Sequence, residues 1–268
     1  MLTALIFGLF GLIIGSFLNV VILRRGARSI GGRSSCMHCG HVLTALDLVP
    51  VFSYVFLRGR CRYCGGRISA QYPLVEASTS ISFALIGGAP LSLPLQLLAL
   101  PIAALFICIT VYDARHTVIP DEWVYSVAFL ALIFGSLYSG TPVQNLIAGV
   151  GAAAPFALLW LLSHGRWMGL GDSKLALAIG ALVGPWGAYL AITAAFVGGA
   201  AFFLPLVFFS SPLWSRIKRK VTPTVRSSGS AAGLTMRSEV PFGPFLIVSC
   251  SLIWILQLYG APILTLWS

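Results

Sequence analysis

Charge is what this chain has least of: 9% of its 268 residues are charged, against roughly a quarter in a soluble domain, and only seven are acidic. With 58% of the residues hydrophobic and a mean hydropathy of +0.93, the chain needs lipid around it. Several enzyme signatures are missing as well. There is no HExxH for a zinc protease, no GxSxG turn and no GxxxxGK[ST] phosphate loop. Nucleic acid is not expected as a partner, because membrane topology and anionic lipid account for the net charge of +10. The N-terminal apolar run lacks a basic leader and a small-residue cleavage site, so it reads as a permanent helix rather than a removable signal.

The charges that are present fall in four clusters, Arg24 to Glu76, Asp113 to Glu122, Arg166 to Lys174 and Arg216 to Glu239. The uncharged stretches between them hold 36, 43 and 41 residues. Each is long enough for two crossings of about 20 residues, and so reads as a helical hairpin. The uncharged ends, 1–23 and 240–268, read as one span each. The sequence therefore predicts an all-α integral membrane protein of about eight transmembrane helices, at 3–23, 75–91, 94–112, 123–139, 143–163, 174–189, 189–209 and 243–262. All four clusters then share one side, which the positive-inside rule makes cytosolic, with both termini opposite.

Turn signals at Gly87-Gly88-Ala89-Pro90, Ser139-Gly140-Thr141-Pro142 and Gly184-Pro185-Trp186-Gly187 sit midway through the hairpins. Three parts follow: a first helix 1–23, a cytosolic loop domain 24–73, and a seven-helix core 74–268 that carries a flexible basic cytosolic loop at 211–241. Gly11 with Gly15, and Gly180 with Gly184, have GxxxG spacing and read as places of close helix packing.

The loop domain holds Cys36-Met37-His38-Cys39 and Cys61-Arg62-Tyr63-Cys64, two CxxC pairs 21 residues apart, followed by Gly40 and by Gly65-Gly66. On a reducing side of the membrane this pattern points to a structural zinc ion held by Cys36, Cys39, Cys61 and Cys64, with disulfides or free thiols as the alternative. Four protein ligands leave no open position, so the ion staples a loop and does no chemistry. His38 and His41 are then neighbours, and Cys108 and Cys250 are small buried hydrophobes.

Acids near membrane depth are costly. Asp121 and Asp172 precede apolar runs, where helix capping is the simplest reading. Asp113 ends a helix, at the unfavourable end of its dipole, and so needs another reason to be there. Gly169 and Gly171 before Asp172 allow a close backbone approach to a substrate strand and a carboxylate set in a tight bend. Two carboxylates converging across a bundle can activate water against a peptide bond, one taking a proton and the other polarising the carbonyl. His116 and His164 read as interfacial residues.

These features, with Gly15-Ser16-Phe17-Leu18-Asn19-Val20, Gln71-Tyr72-Pro73-Leu74-Val75-Glu76, the segment from Asp113 to Ile119-Pro120-Asp121, and Gly169-Leu170-Gly171-Asp172-Ser173-Lys174, resemble the bacterial type IV prepilin peptidases, the GxGD class of membrane aspartyl proteases. The resemblance implies cleavage of a basic leader after glycine on the cytosolic side of the bacterial inner membrane. The substrates would be type IV prepilins or type II secretion pseudopilins.

In many members N-methylation of the new terminus, usually phenylalanine, follows with S-adenosylmethionine as donor. The resemblance puts the catalytic pair at Asp113 and Asp172, gives Asp121, Gly169, Gly171 and Lys174 supporting places, and makes Glu76 the candidate for methyl transfer. Many relatives have proline where this chain has Met37, a change that loosens the first turn without removing a thiolate. A peptidase without methylation, and a transporter or assembly scaffold with acids lining a pathway, are the competing readings. The sequence leaves the oligomeric state open.

Overall fold

The computed structural model describes residues 1–25, 31–210 and 241–260, and the basic loop expected at 211–241 lies outside these apart from Pro241. The described residues form eight α-helices and no strand: α1 (Leu2–Arg24), α2 (Phe52–Phe56), α3 (Gln71–Gly88), α4 (Leu93–His116), α5 (Asp121–Ser139), α6 (Pro142–Ser163), α7 (Leu170–Ser210) and α8 (Gly243–Leu258). Five are long and apolar enough to cross a membrane: α1, α4, α5, α6 and Leu170–Pro205 of α7. The expected count of eight transmembrane helices is thus met only in its coarser form, a multi-spanning helical protein. Helix α2 is a five-residue turn within the loop domain. Helix α8 has only 16 residues, and α3 is diluted by Glu76, Ser78, Thr79, Ser80 and Ser82.

Glu76, Ser78, Thr79 and Ser80 among these have hydrogen-bond partners, as lipid requires. Thr79 donates to the Val75 carbonyl at 2.7 Å and Ser80 to the Gly8 carbonyl at 2.8 Å. The second of these bonds joins α3 to α1. A Cβ at Gly11 would stand 2.7 Å from Ser80 Cα, and one at Gly15 2.7 Å from Glu76 Cα. The first GxxxG pair is therefore the α1–α3 seam.

The second pair divides its labour. Gly180 packs on α6, where a Cβ would stand 2.7 Å from Gly149 Cα. Gly184 instead breaks α7, with φ 71 and ψ −176 just before Pro185. Glycine alone adopts that φ without strain, and proline offers no N–H to continue the helix. The break reverses the chain. In the first arm Ser173 donates to the Ala153 carbonyl at 3.1 Å and Gly184 approaches Asn145, so this arm runs antiparallel to α6. In the second arm Phe196 stacks on Phe156 at 6.1 Å, back toward the end where α6 finishes. The turn falls on the expected Gly184-Pro185-Trp186-Gly187 signal, five residues before the junction drawn between the two spans at 189.

Apolar side chains of α4, α5, both arms of α7 and α8 fill the space between them, with Phe106, Val124, Phe134, Ile179 and Leu246 almost fully enclosed. This packing sets the C-terminal end of α4 beside the N-terminal ends of α5, α7 and α8.

Candidate active site and metal loop

Asp113 lies in the last turn of α4, three residues before the helix ends, and is 4% exposed. Its carbonyl accepts the N–H of Thr117, a residue at φ 52 that closes the helix, and the chain then turns toward Ile119-Pro120. Oδ2 of Asp113 is buried with no hydrogen-bond partner among the described residues. A carboxylate oxygen in that condition is costly unless a ligand or water completes it.

Asp172 lies in the first turn of α7, where acids suit the helix dipole. It is within electrostatic reach of Asp113 although the two are nearly sixty positions apart. The chain turns into α7 here without a positive φ at either glycine, and the Asp172 N–H donates to the Gly169 carbonyl at 3.3 Å across the turn. Gly171 packs on Ile119, where a Cβ would stand 3.0 Å from Ile119 Cβ. Gly171 thus allows close approach to the chain's own Asp113–Asp121 segment, which draws the two aspartates together.

Gly243, the first residue of α8, completes this arrangement. A Cβ there would stand 2.6 Å from Asp113 Oδ2 and 3.3 Å from Ile119 Cδ1, and its backbone amide faces the Asp113 carboxylate. Reading the sequence did not single out this residue. The available signal was Phe242-Gly243-Pro244, a glycine with proline at the next position where an apolar helix opens.

Around the pair, Lys174 Nζ meets Asp121 Oδ1 at 2.7 Å and stands 5.0 Å from the Tyr125 ring centre. Asp121 is not a cap: Pro120 holds that position without a side-chain bond, and the carboxylate ties α5 to α7. A second clamp joins Arg25 to Glu122 at 2.6 Å, with the guanidinium 4.6 Å from the Trp123 ring and 5.3 Å from Tyr112. His116 lies exposed against Tyr112, and His164 ends α6 at φ 50.

Glu76 sits elsewhere. It is 7% exposed, backs onto Gly15, and its Oε2 accepts the N–H of Val51 at 2.7 Å. Its described partners belong to α1 and the loop domain and not to the aspartate pair.

In that loop domain the Sγ atoms of Cys36, Cys39, Cys61 and Cys64 lie within 4.8 Å of one another, and Cys36 and Cys64 are 3.9 Å apart. Four thiolates on one tetrahedral ion at about 2.3 Å stand about 3.8 Å from each other, so the cluster fits a metal ion. Two matching knuckles present it. Cys36 N–H donates to the His41 carbonyl and Gly40 N–H to the Cys36 carbonyl, while Cys61 N–H donates to Gly66 and Gly65 N–H to Cys61. Gly40 and Gly65 both have φ 70.

Met37 leaves the first knuckle as closed as the second, because its side chain points outward at 81% exposure. Amide groups of Cys39 and His38 push the Cys36 thiol down to about 6, toward the thiolate a metal needs. His38 bonds the Arg67 carbonyl and His41 stacks on Tyr63, which leaves both outside the thiol cluster.

Comparison with known proteins fixes the class. Residues 100–204 match the Type IV leader peptidase family, and residues 9–88 match the Bacterial Peptidase A24 N-terminal domain. The chain belongs to the Type IV leader peptidase family. It is 34% identical to a prepilin leader peptidase/N-methyltransferase of Dickeya chrysanthemi, over 94% of this chain and 92% of that one. It is 31% identical to one of Dichelobacter nodosus, over 96% and 91%. A third, from Pectobacterium carotovorum subsp. carotovorum, is 37% identical over 66% of this chain and 74% of its own. No solved structure matches the chain.

Proposed function

We propose that this chain removes the leader of type IV prepilins and type II secretion pseudopilins after glycine, and then N-methylates the exposed residue, usually phenylalanine. Asp113 and Asp172 are the catalytic pair. The observation that carries the reading is the buried, unpartnered Oδ2 of Asp113 with Asp172 in electrostatic reach.

One carboxylate, ionised, takes a proton from water, and the resulting hydroxide oxygen bonds to the scissile carbonyl carbon. The other, protonated, hydrogen-bonds the carbonyl oxygen as it gains charge. When the tetrahedral species collapses the C–N bond breaks, and the departing amine takes up a proton. Gly243 keeps Asp113 in place, Gly171 lets α7 approach Ile119, Gly169 leaves room beside Asp172, and the Asp121–Lys174 pair holds α5 against α7.

Cys36, Cys39, Cys61 and Cys64 would hold a zinc ion, which supplies a fold for the loop domain and no step of the reaction. S-adenosylmethionine is the methyl donor by resemblance to the relatives named as methyltransferases. Two cavities, of about 940 and 240 Å³, carry no charged side chain to grip such a donor, so no step is derived through it.

The domain division at 23 and 73, eight crossings of the bacterial inner membrane, a cytosolic active site and periplasmic termini belong to the same proposal. Their support is the one-sided charge and the cluster of Arg25, Tyr112 and Trp123, an interfacial set at the ends of α1, α4 and α5.

The test is cleavage of a prepilin leader peptide by purified protein, read by mass. Asp113→Asn and Asp172→Asn should each lower the rate by about 10³-fold or more while the protein still inserts. Normal cleavage by either variant sinks the assignment. Addition of the donor should add the mass of one methyl group to the product, and a product that never gains it leaves a peptidase alone.

A further inference from the structure

Residues 42–57, between the two knuckles, contain a single charged side chain, Asp47. The fold hides it: Arg62 Nε donates to Oδ1 at 2.8 Å, Thr44 Oγ1 and Tyr63 OH donate to Oδ2 at 2.8 and 3.2 Å, and the side chain is 3% exposed. The surface that remains is apolar. Leu46 is 70% exposed, Phe52 56%, Val55 65% and Phe56 83%, with no described residue covering them.

The depth of this patch is fixed by two contacts. Val51, at its centre, donates its N–H to Glu76, and Glu76 is level with Gly15 of α1. Gly15 lies nine residues before Arg24, about 13 Å lower along a helix axis. Arg25, just past α1, stands among Tyr112 and Trp123, the ring set expected at a membrane surface. The Glu76 side chain leans back toward the start of α3, as helical side chains do, so Val51 comes to lie one to two turns of α1 below Arg24.

In the first turn of α3, two positions before Glu76, Leu74 is likewise 66% exposed. The backbone of the patch is suited to that depth, since Ser53, Val55 and Leu57 donate to the carbonyls of Val49, Val51 and Ser53. Of the basic residues of the loop domain, Arg33, Arg60, Arg62 and Arg67 lie in or beside the knuckles, and exposed Arg58 follows directly on the patch, a cation at its border.

We propose that residues 44–57 form a foot that lies in the headgroup–acyl boundary of the cytosolic leaflet, its occupant being phospholipid. Apolar side chains 5–10 Å into that boundary, with basic groups above them, are what such surfaces bind through. The knuckles are then held upright on the membrane by lipid on one side and by Glu76 on the other. This holds whatever chemistry the aspartates perform.

Phe56 and Met37 are equally exposed, at 83% and 81%, but Phe56 belongs to the patch and Met37 to the first knuckle, which makes them a matched pair. The full chain carrying p-benzoylphenylalanine at either position is reconstituted in nanodiscs of phosphatidylethanolamine and phosphatidylglycerol and irradiated. A prepilin leader peptide is present and adducts are identified by mass. Neither side chain is packed, so both variants should fold, and metal content checks that they do. The expected result is a several-fold excess of lipid adduct at Phe56 over Met37. Equal lipid adduct at the two positions overturns the proposal, as does a main Phe56 adduct to the peptide or to a second copy of the chain.

Discussion

The loop domain and the aspartate site solve the same problem, holding a few polar groups in fixed relation, by opposite means. In the loop each knuckle closes on itself with two backbone hydrogen bonds and a glycine at φ 70, so six consecutive residues determine where two thiols point. At the aspartates nothing is local: α4 supplies one carboxylate, α7 the other, the segment before α5 the wedge of Ile119, and α8 the glycine that leaves room. A site made of short motifs tolerates changes in the bundle, whereas a site made of helix ends depends on every helix that meets there.

The comparison breaks most visibly at Gly243, far from both aspartates in sequence. Gly243→Ala places a methyl group 2.6 Å from Asp113 Oδ2, so the carboxylate must retreat by about 0.8 Å to reach ordinary contact. A misplacement of that size costs on the order of 10²-fold in rate. Leader cleavage should fall by about that factor with metal content and methylation of a pre-cleaved peptide unchanged. Cleavage within a factor of two of the parent would remove Gly243 from the site.

The opposite change is expected at the loop. Cys61→Ser, or removal of metal by a chelator, takes away the ion that folds the knuckles, so metal stoichiometry should drop to near zero and residues 31–70 become protease-sensitive. Leader cleavage should fall by less than about tenfold, because rate follows the placement of the reacting groups and none of those is on the loop. Loss as complete as that of Asp113→Asn would show that the two regions are one site.

Glu76 joins the loop domain to the helix bundle and separates two roles. Its carboxylate accepts the Val51 N–H, and the amide oxygen of Gln can accept the same bond, so Glu76→Gln should keep the loop docked and Glu76→Ala should release it at a cost of roughly 2 kcal/mol. Hydrogen exchange at Val51 reads the docking. Methylation that survives Gln and fails with Ala makes Glu76 a tether, and methylation that fails with both makes it part of the transfer chemistry.

The two regions also differ in how much of them could be read without a structure. The four cysteines, the hairpin boundaries and the helical, multi-spanning character were legible because each rests on spacing or on an unbroken apolar run. The role of Glu76 was not, since its partner is the amide of Val51 in an irregular segment with no motif. Gly171 was read as room for a substrate and turned out to be room for Ile119. Asp121 was read as a cap and instead pairs with Lys174. In each case the residue type announced that something comes close, and only the packing of helices remote in sequence decides what. Gly184 is the contrary case: the break was legible in Gly184-Pro185 because glycine and proline act on the local backbone.

The smallest effect lies at Asp47, inside the local region, and its pH dependence tests whether that region stands alone. The Thr44 hydroxyl, then the Thr44 amide and Arg62, hold the Asp47 carboxyl down at about 2, below its ordinary value of 3.8. A depressed acid contributes fully above its ordinary value and loses that contribution only as pH falls through the depressed one. Between pH 5 and 8 Asp47 is ionised whether the loop is folded or not. Asp47→Asn should therefore weaken hydrogen-exchange protection at Thr44 by about 1 kcal/mol, in line with a half-exposed Arg62 partner, and by the same amount across that whole interval. A difference that grows or shrinks between pH 5 and 8 would mean that Asp47 answers to a group titrating in that interval, and that the loop's turn does not stand alone.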